Sequence, residues 1–309
     1  MTDRTALRVC TFAGASSLPL FVAAEFGMFD AAGLDVELVA TRSSDELMTG
    51  LLEGGFEIVH AAPDNYVTWR DRTDAPIVAW IGGTSGPISL VAAPDVTSVG
   101  DLRGREIAVD AVASGFVSVL RKILRQSGLD EDDVALVPLG ATNLRFEALR
   151  DGRTSATMLT MPWSLLAAES GCRILADQRE VLPRLQGSCA ASLEPWLEAN
   201  DRVADAYLRA LVAALTWAYT PEHDGQVRTL IAARYGIEER HAEAVRAALL
   251  DPLGGWPPSA FIDPVGMDLV CRLRTENGQP PARPAEAYYT LAPYGRVLGA
   301  ALLAAPSAG

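Results

Sequence analysis

The chain has 309 residues, of which 49% are hydrophobic and 21% are charged, as in an ordinary globular protein. This length suits two lobes better than a single core. The net charge of −13 argues against nucleic acid or an anionic membrane surface as a partner, because both require clustered lysine and arginine. It does not exclude an anionic small ligand, since donors inside a pocket outweigh distant surface charge.

The start of the chain carries no recognisable secretory signal. Residues 1–9 lack a basic start followed by an apolar stretch and a small-residue cleavage site. No window contains ~18 uninterrupted apolar residues, so we expect no membrane insertion. We therefore expect a cytoplasmic protein, with a periplasmic or extracellular location only if a signal has been removed.

Cysteine and histidine are sparse and scattered. The four cysteines form no C-x-x-C motif, and there are three histidines. We expect neither a metal site nor a cofactor. The cysteines fit reduced, mostly buried thiols.

The first part of the chain alternates strands with helices. Short apolar runs bounded by turn residues predict strands, and longer stretches between them predict helices. The predicted strands are 7–12, 34–39, 56–59 and 76–81. Glycines within residues 82–86 predict a bend where the chain crosses into a second lobe.

The same strand, loop and helix order is repeated from residue 101 onward. Residues 188–192 return the chain to the first lobe, and residues 201–219 form an amphipathic helix. The stretch 251–284 is rich in proline and glycine and predicts a wrapping tail. The sequence thus predicts an α/β protein with lobe I at 1–86 and 188–309 and lobe II at 87–187.

Three segments carry a family resemblance. They are EFGMFDAAGLDV at 25–36, DLRGREIAV at 101–109 and LRDGRTSA at 149–156. Their order and spacing resemble the periplasmic-binding-protein-like (type II) fold, in its sulfonate-binding and thiamine-pyrimidine-synthase-like branch, over about residues 7–220. The resemblance implies two lobes, each a β-sheet flanked by helices, with a ligand cleft between them.

The loops at the carboxyl ends of the strands are the expected ligand contacts. Helix N-termini begin there, and their free N–H groups favour carboxylates, sulfonates or phosphates. We expect the ligand to be small, planar and anionic. The candidate ligand-binding residues are Gly14, Ser16, Ser17, Ser43, Ser44, Pro63, Asp64, Asn65, Trp80, Ser114, Gly115, Thr142, Asn143, Thr160, Met161 and Trp163.

Several of these candidates also have a purely local explanation. Ser43 and Glu46 form an S-x-x-E capping box, which needs no ligand. Ser114 fits a plain helix cap. Trp80 and Trp163 lie near strand ends and could seal the core or stack on a planar ligand.

His60 is the candidate acid or base, since it follows a predicted strand at the cleft edge and histidine titrates near neutral pH. The spacing of His60, Asp64 and Arg70 resembles that of hydroxybiphenyl sulfinate desulfinases, intracellular enzymes with this fold. The resemblance implies that His60 moves a proton and Arg70 holds an anion. A structural histidine and a solvated arginine are the alternatives.

Two departures weaken the enzymatic resemblance. Gly14 occupies the position of the desulfinase nucleophilic cysteine, and Cys10 lies within a strand and should point into the core. Against the thiamine-pyrimidine synthases, Asn65 occupies the histidine position and the cysteine-rich iron-binding run is missing.

Two classes of function remain open. The first is an intracellular, cofactor-independent lyase or hydrolase, which the missing signal and the His60 pattern favour. The alternative is the substrate-binding component of an ABC-type importer of the sulfonate, nitrate, taurine or thiamine-precursor class. A cytoplasmic ligand sensor is a third option. The fold is only an analogy for function.

Overall fold

The computed structural model describes residues 4–12, 14–41, 43–84, 88–112, 114–251 and 254–299. The described residues form ten strands: β1 (Thr5–Phe12), β2 (Leu34–Thr41), β3 (Ile58–Ala61), β4 (Ile77–Gly82), β5 (Ser89–Ala92), β6 (Glu106–Val109), β7 (Ala135–Pro138), β8 (Ala156–Leu159), β9 (Arg173–Asp177) and β10 (Cys189–Leu193).

Helices connect these strands and form a long C-terminal region. In the described residues they are α1 (Leu18–Glu25), α2 (Met28–Ala31), α3 (Ser44–Leu52), α4 (Pro63–Thr73), α5 (Gly115–Gln126), α6 (Thr142–Arg150), α7 (Trp163–Glu169), α8 (Gln178–Val181), α9 (Glu194–Ala199), α10 (Asp201–Tyr219), α11 (Asp224–Tyr235), α12 (Glu239–Leu249), α13 (Pro264–Glu276) and α14 (Ala292–Val297). Short 3₁₀ turns lie at Ala15–Ser17, Val99–Leu102, Glu131–Asp133, Pro221–His223 and Ala285–Tyr288.

The strands form two five-stranded sheets of the same design. The first has the order β2-β1-β3-β10-β4 and the second has the order β7-β6-β8-β5-β9. In the first sheet β1 is parallel to β2 and β3, and β10 is antiparallel to β3 and β4. In the second, β6 is parallel to β7 and β8, and β5 is antiparallel to β8 and β9. The antiparallel strands β10 and β5 are the ones that receive the chain after it crosses between lobes.

Each sheet has its own hydrophobic core. The first core joins the first sheet to the long helix α10, whose Tyr207, Leu211 and Leu215 are buried. The second core packs α5 against the second sheet. This confirms the predicted two-lobed α/β architecture. The predicted boundary at residues 86 and 87 lies outside the described residues, and the predicted hinge at 82–86 is described only as far as Thr84.

Helix α13 packs on both lobes. Met267 and Cys271 join the core of lobe I, whereas Val270 and Leu273 join the core of lobe II. The sequence assigns this segment to lobe I, and the structure shows that it also contacts lobe II. The reason is the helical period, which turns neighbouring apolar residues of α13 toward different partners.

Candidate functional site

The N-termini of two helices from different lobes meet at Asp64 and Gly115. Asp64 lies in the first turn of α4, which follows β3 in lobe I. Gly115 begins α5 in lobe II, and its backbone N–H donates to the Asp64 carboxylate. A Cβ atom at Gly115 would lie 2.7 Å from the Asp64 Cγ atom, so the carboxylate packs directly on the glycine. We call this contact the α4–α5 junction.

The α4–α5 junction holds charged groups of both signs. The pKa of Asp64 is raised to about 6, chiefly by burial and also by nearby Asp110, while Arg274 and the Gly115 N–H act in the opposite direction. Arg274 also donates through Nη1 to Thr68 Oγ1 at 2.8 Å. Asp110 accepts a hydrogen bond of 2.6 Å from the Ser114 hydroxyl.

A small cavity lies beside the junction, between the lobes. Its volume is about 50 Å³, and apolar side chains such as Phe116 and Leu273 form much of its wall. Gln178 also lines it, is fully buried, and donates through Nε2 to the Leu182 carbonyl at 2.7 Å. Its Oε1 atom has no hydrogen-bond partner among the described residues. A cavity of this size holds a few water molecules at most, so a larger ligand requires the lobes to separate.

The lobes also touch away from this junction. Met161, from the loop after β8, packs against the core of lobe I. Glu169 at the end of α7 lies 2.6 Å from Nε2 of His241, which is buried on α12 of lobe I. These contacts describe a conformation in which the two lobes are closed on each other.

A separate groove on the surface of lobe I is larger, at about 750 Å³. It runs between α1 and α11 and includes Glu25 and Arg234, which pair with each other at 3.7 Å. It is remote from the strand ends at which ligands of open α/β sheets bind, so we assign the candidate site to the cleft between the lobes.

Comparison with known proteins gives the family. Residues 2–232 match the NMT1-like family. The chain belongs to the NMT1-like family. A search of curated proteins finds no match.

Solved structures share the fold of this NMT1-like chain. The ligand-binding component of an ABC-type import system from Staphylococcus aureus, with zinc bound, has a TM-score of 0.80 and 12% identity over 96% of this chain and 100% of that one. The nitrate-binding protein of Synechocystis has a TM-score of 0.79 and 14% identity over 99% of this chain and 90% of that one. The aliphatic sulphonate-binding protein of Escherichia coli has a TM-score of 0.73 and 18% identity over 91% of this chain and 95% of that one. The predicted periplasmic-binding-protein-like fold is confirmed.

The structure places His60 in the core of lobe I, and its predicted role as an acid or base stays a prediction. His60 is the third residue of β3 rather than the first residue after the strand. Its side chain is 3% exposed, and its Nε2 lies 2.9 Å from the hydroxyl oxygen of Tyr207 on α10. Burial lowers its pKa to about 3. The imidazole is therefore neutral at physiological pH and closed off from the cleft.

Arg70, the predicted anion clamp, is held by contacts within lobe I. It lies in the last turns of α4, six residues and about 9 Å along the helix from Asp64. Its Nη1 atom donates to the Ile77 carbonyl at 2.8 Å and to Glu194 at 3.2 Å. Arg70 therefore ties α4 to β4 and α9, and the structure does not bring it together with His60.

Trp80 and Ser17 are likewise buried within lobe I. Trp80 is fully buried, and its indole Nε1 donates to the Ser192 hydroxyl at 3.0 Å. Ser17 is 3% exposed and donates to the Phe12 carbonyl at 2.7 Å. Each side chain is enclosed by its own lobe, and its predicted ligand contact stays a prediction.

The other candidates of lobe I lie at helix starts. The carbonyls of Gly14 and Ser16 accept hydrogen bonds from Tyr235 and Trp256, at 3.1 and 3.0 Å, so C-terminal residues fix this loop. The other lobe I candidates sit at the first turns of two helices: Ser43 caps α3, Ser44 begins it, Pro63 begins α4, and Asn65 donates back to the Ala62 carbonyl. Contact of these residues with a ligand stays a prediction.

The candidates of lobe II lie at the starts of α5, α6 and α7. Ser114 caps α5 by accepting from the Val117 N–H at 3.2 Å. Thr142 and Asn143 are the first two residues of α6. The Thr160 carbonyl accepts a hydrogen bond of 3.1 Å from the Ser164 N–H. The ring of Trp163 packs against that of Phe146, with 5.4 Å between the ring centroids. Their ligand contacts also stay predictions.

Sequence reasoning missed three residues of the junction. Asp110 directly follows β6, so the rule that selected the other strand ends applies to it as well. Gln178 and Arg274 come from α8 and α13, and no local pattern places those helices beside the cleft.

In the part of the chain that the structure describes, no helix is long and apolar enough to cross a membrane.

Proposed function

We propose that this protein is the substrate-binding component of an ABC-type importer, which binds a small molecule between its lobes and releases it unchanged. The observation that carries the proposal is the α4–α5 junction, where helix N-termini from separate lobes meet at Asp64 and Gly115. Opening and closing of such a junction is the hinge motion by which two-lobed binding proteins enclose ligands. The fold shared with proteins named for sulphonate, for nitrate and for ABC-type import supports the same proposal.

The lyase alternative has less support than the binding role. It depends on a proton-transferring His60 and an anion-holding Arg70, and both side chains are committed to contacts within lobe I. General acid–base catalysis requires a group within hydrogen-bond reach of the substrate. A binding role needs no such group.

The ligand and the location of the protein are further parts of the proposal. The names of the sulphonate-binding and nitrate-binding neighbours favour a small anion. Asp64, however, occupies the helix N-terminus at which an anion would bind. A component of an importer works outside the cytoplasmic membrane, so this proposal replaces the cytoplasmic location expected from the sequence.

Hydrogen exchange after a ligand screen tests the proposal. A thermal-shift panel of carboxylates, sulfonates, sulfinates and amines identifies stabilising compounds, since a ligand at 100 times its dissociation constant adds ~2.7 kcal/mol. With a hit bound, we expect slower exchange in segments 14–20 and 62–68 of lobe I and 114–120 and 160–166 of lobe II together. Segment 99–105 is the internal control and should not change.

Protection confined to one lobe, or to the surface groove beside Glu25 and Arg234, would contradict an interlobe site. Conversion of the hit into a different compound would contradict the binding role.

A further inference from the structure

Asp64 occupies the position that an anionic ligand would take at α5. The helix has twelve residues, and its N-terminus combines free N–H groups with a partial positive charge. The Asp64 carboxylate accepts the Gly115 N–H and lies against the Gly115 Cα, where a side chain on that residue would not fit. The chain thus supplies its own anion at a site that would otherwise attract one from solution.

The charged groups around Asp64 are of both signs. Asp110 adds a second negative charge on the lobe II side of the junction. Arg274 donates through Nη1 to Thr68, and its buried Nε has no hydrogen-bond partner among the described residues. The buried Arg145 donates to Thr142 and to the Gly140 carbonyl.

The adjoining cavity also calls for a hydrogen-bond donor. The Oε1 atom of Gln178 is an acceptor in a fully buried side chain, with no partner among the described residues. A buried acceptor without a donor is unfavourable, and a ligand N–H group would relieve that cost. This observation is independent of the charge on Asp64 and points to the same ligand chemistry.

We propose that Asp64 is a specificity-determining residue of the cleft, which excludes ligands with an anionic group at α5 and selects ligands that present a cationic or N–H-rich nitrogen group. This inference rests on the proposed binding function. It separates the chain from the sulphonate-binding and nitrate-binding neighbours in ligand class while keeping their fold.

Ligands of opposite charge test the inference, and propanesulfonate and propylammonium share the same propyl chain. Propanesulfonate, nitrate and propylammonium are titrated into wild type, Asp64→Asn and Asp64→Ser by calorimetry, with thermal shifts as a second readout. Asp132→Asn is the control, because it removes the same charge from an exposed position on a 3₁₀ turn away from the junction. The serine variant covers the case in which the asparagine variant folds poorly.

We expect both Asp64 variants to bind propanesulfonate or nitrate at least tenfold more tightly than wild type and Asp132→Asn do. Propylammonium should show the reverse order. Equal responses of all four proteins to the anions, including no response from any of them, overturn the inference. Tight sulfonate binding by wild type, with exchange protection in both lobes, would overturn this inference and leave the proposed function standing. Chemical conversion of a bound ligand would overturn the proposed function instead.

Discussion

Replacing Asp64 with asparagine should stabilise the protein at neutral pH. The folded-state pKa of Asp64 is about 6, against an ordinary value of 3.8. Below pH 3.8 both the folded and the unfolded states hold the proton, so the carboxyl group costs nothing. As the pH rises toward 6 the unfolded state releases its proton first, and the folded state loses stability.

The magnitude follows from the difference between the two pKa values. At ~1.4 kcal/mol per pKa unit, the cost of ionised Asp64 at pH 7.5 is at most ~3 kcal/mol. Asp64 is only partly buried, so solvent screening reduces this cost, and we expect a gain of ~1–3 kcal/mol in Asp64→Asn. The asparagine amide oxygen can still accept the Gly115 N–H, so the variant changes the charge with little change of shape.

Urea unfolding followed by tryptophan fluorescence measures this gain. The stability difference between Asp64→Asn and wild type should be largest at pH 7.5 and should shrink steadily toward pH 4.5. The exposed variant Asp132→Asn should show no such pH-dependent difference. A variant less stable than wild type at pH 7.5, or a gap that does not shrink, would show that the carboxylate is a favourable interlobe contact and that our reasoning is wrong.

Three other substitutions separate structural roles from roles in binding. His60 has a pKa of about 3 in the folded state against an ordinary value of 6.5, so its contribution to the free energy of unfolding is present above pH 6.5 and is lost as the pH falls toward 3. His60→Gln should therefore remove this loss of stability at low pH, as urea unfolding at several pH values would show. Ligand affinity measured by calorimetry should stay within a few-fold of wild type. Arg70→Ala should lower the thermal midpoint without weakening ligand binding, because its partners Ile77 and Glu194 lie outside the cleft; a large loss of affinity would restore the anion clamp. Cys10→Ala should lower the free energy of unfolding by ~1–2 kcal/mol and leave ligand affinity unchanged. Burial raises the pKa of the Cys10 thiol to about 11, so native Cys10 should react slowly with thiol reagents. Rapid labelling would contradict its placement in the core.

Local patterns predicted the elements whose formation depends on neighbouring residues. The amphipathic spacing of residues 201–219 predicted a helix with the bounds that α10 shows, Asp201–Tyr219. The motifs at 25–36 and 101–109 predicted the fold because their order is shared within the family. Asp64 also followed from a local rule, since it opens the helix after a strand.

The errors arose where contacts distant in sequence decide the outcome. The predicted third strand ended at residue 59, but pairing of Thr11 with His60 extends β3 and carries the histidine into the core beside Tyr207. Trp80 is buried because Ser192, on a strand that returns from lobe II, lies beside it. The pKa of Asp64 depends in part on Gly115 and Arg274, which lie about 50 and 210 residues from Asp64 in sequence, so no local pattern could reveal it.

Recovery of the ligand tests the central claim most directly. A compound that stabilises the protein is held with wild type at saturating concentration for hours, and the mixture is then analysed by nuclear magnetic resonance after the protein has been removed. Our account predicts one ligand bound per chain and complete recovery of the unaltered compound, with His60→Gln giving the same result. Appearance of a product with wild type, and its absence with His60→Gln, would contradict the account and restore the enzymatic alternative.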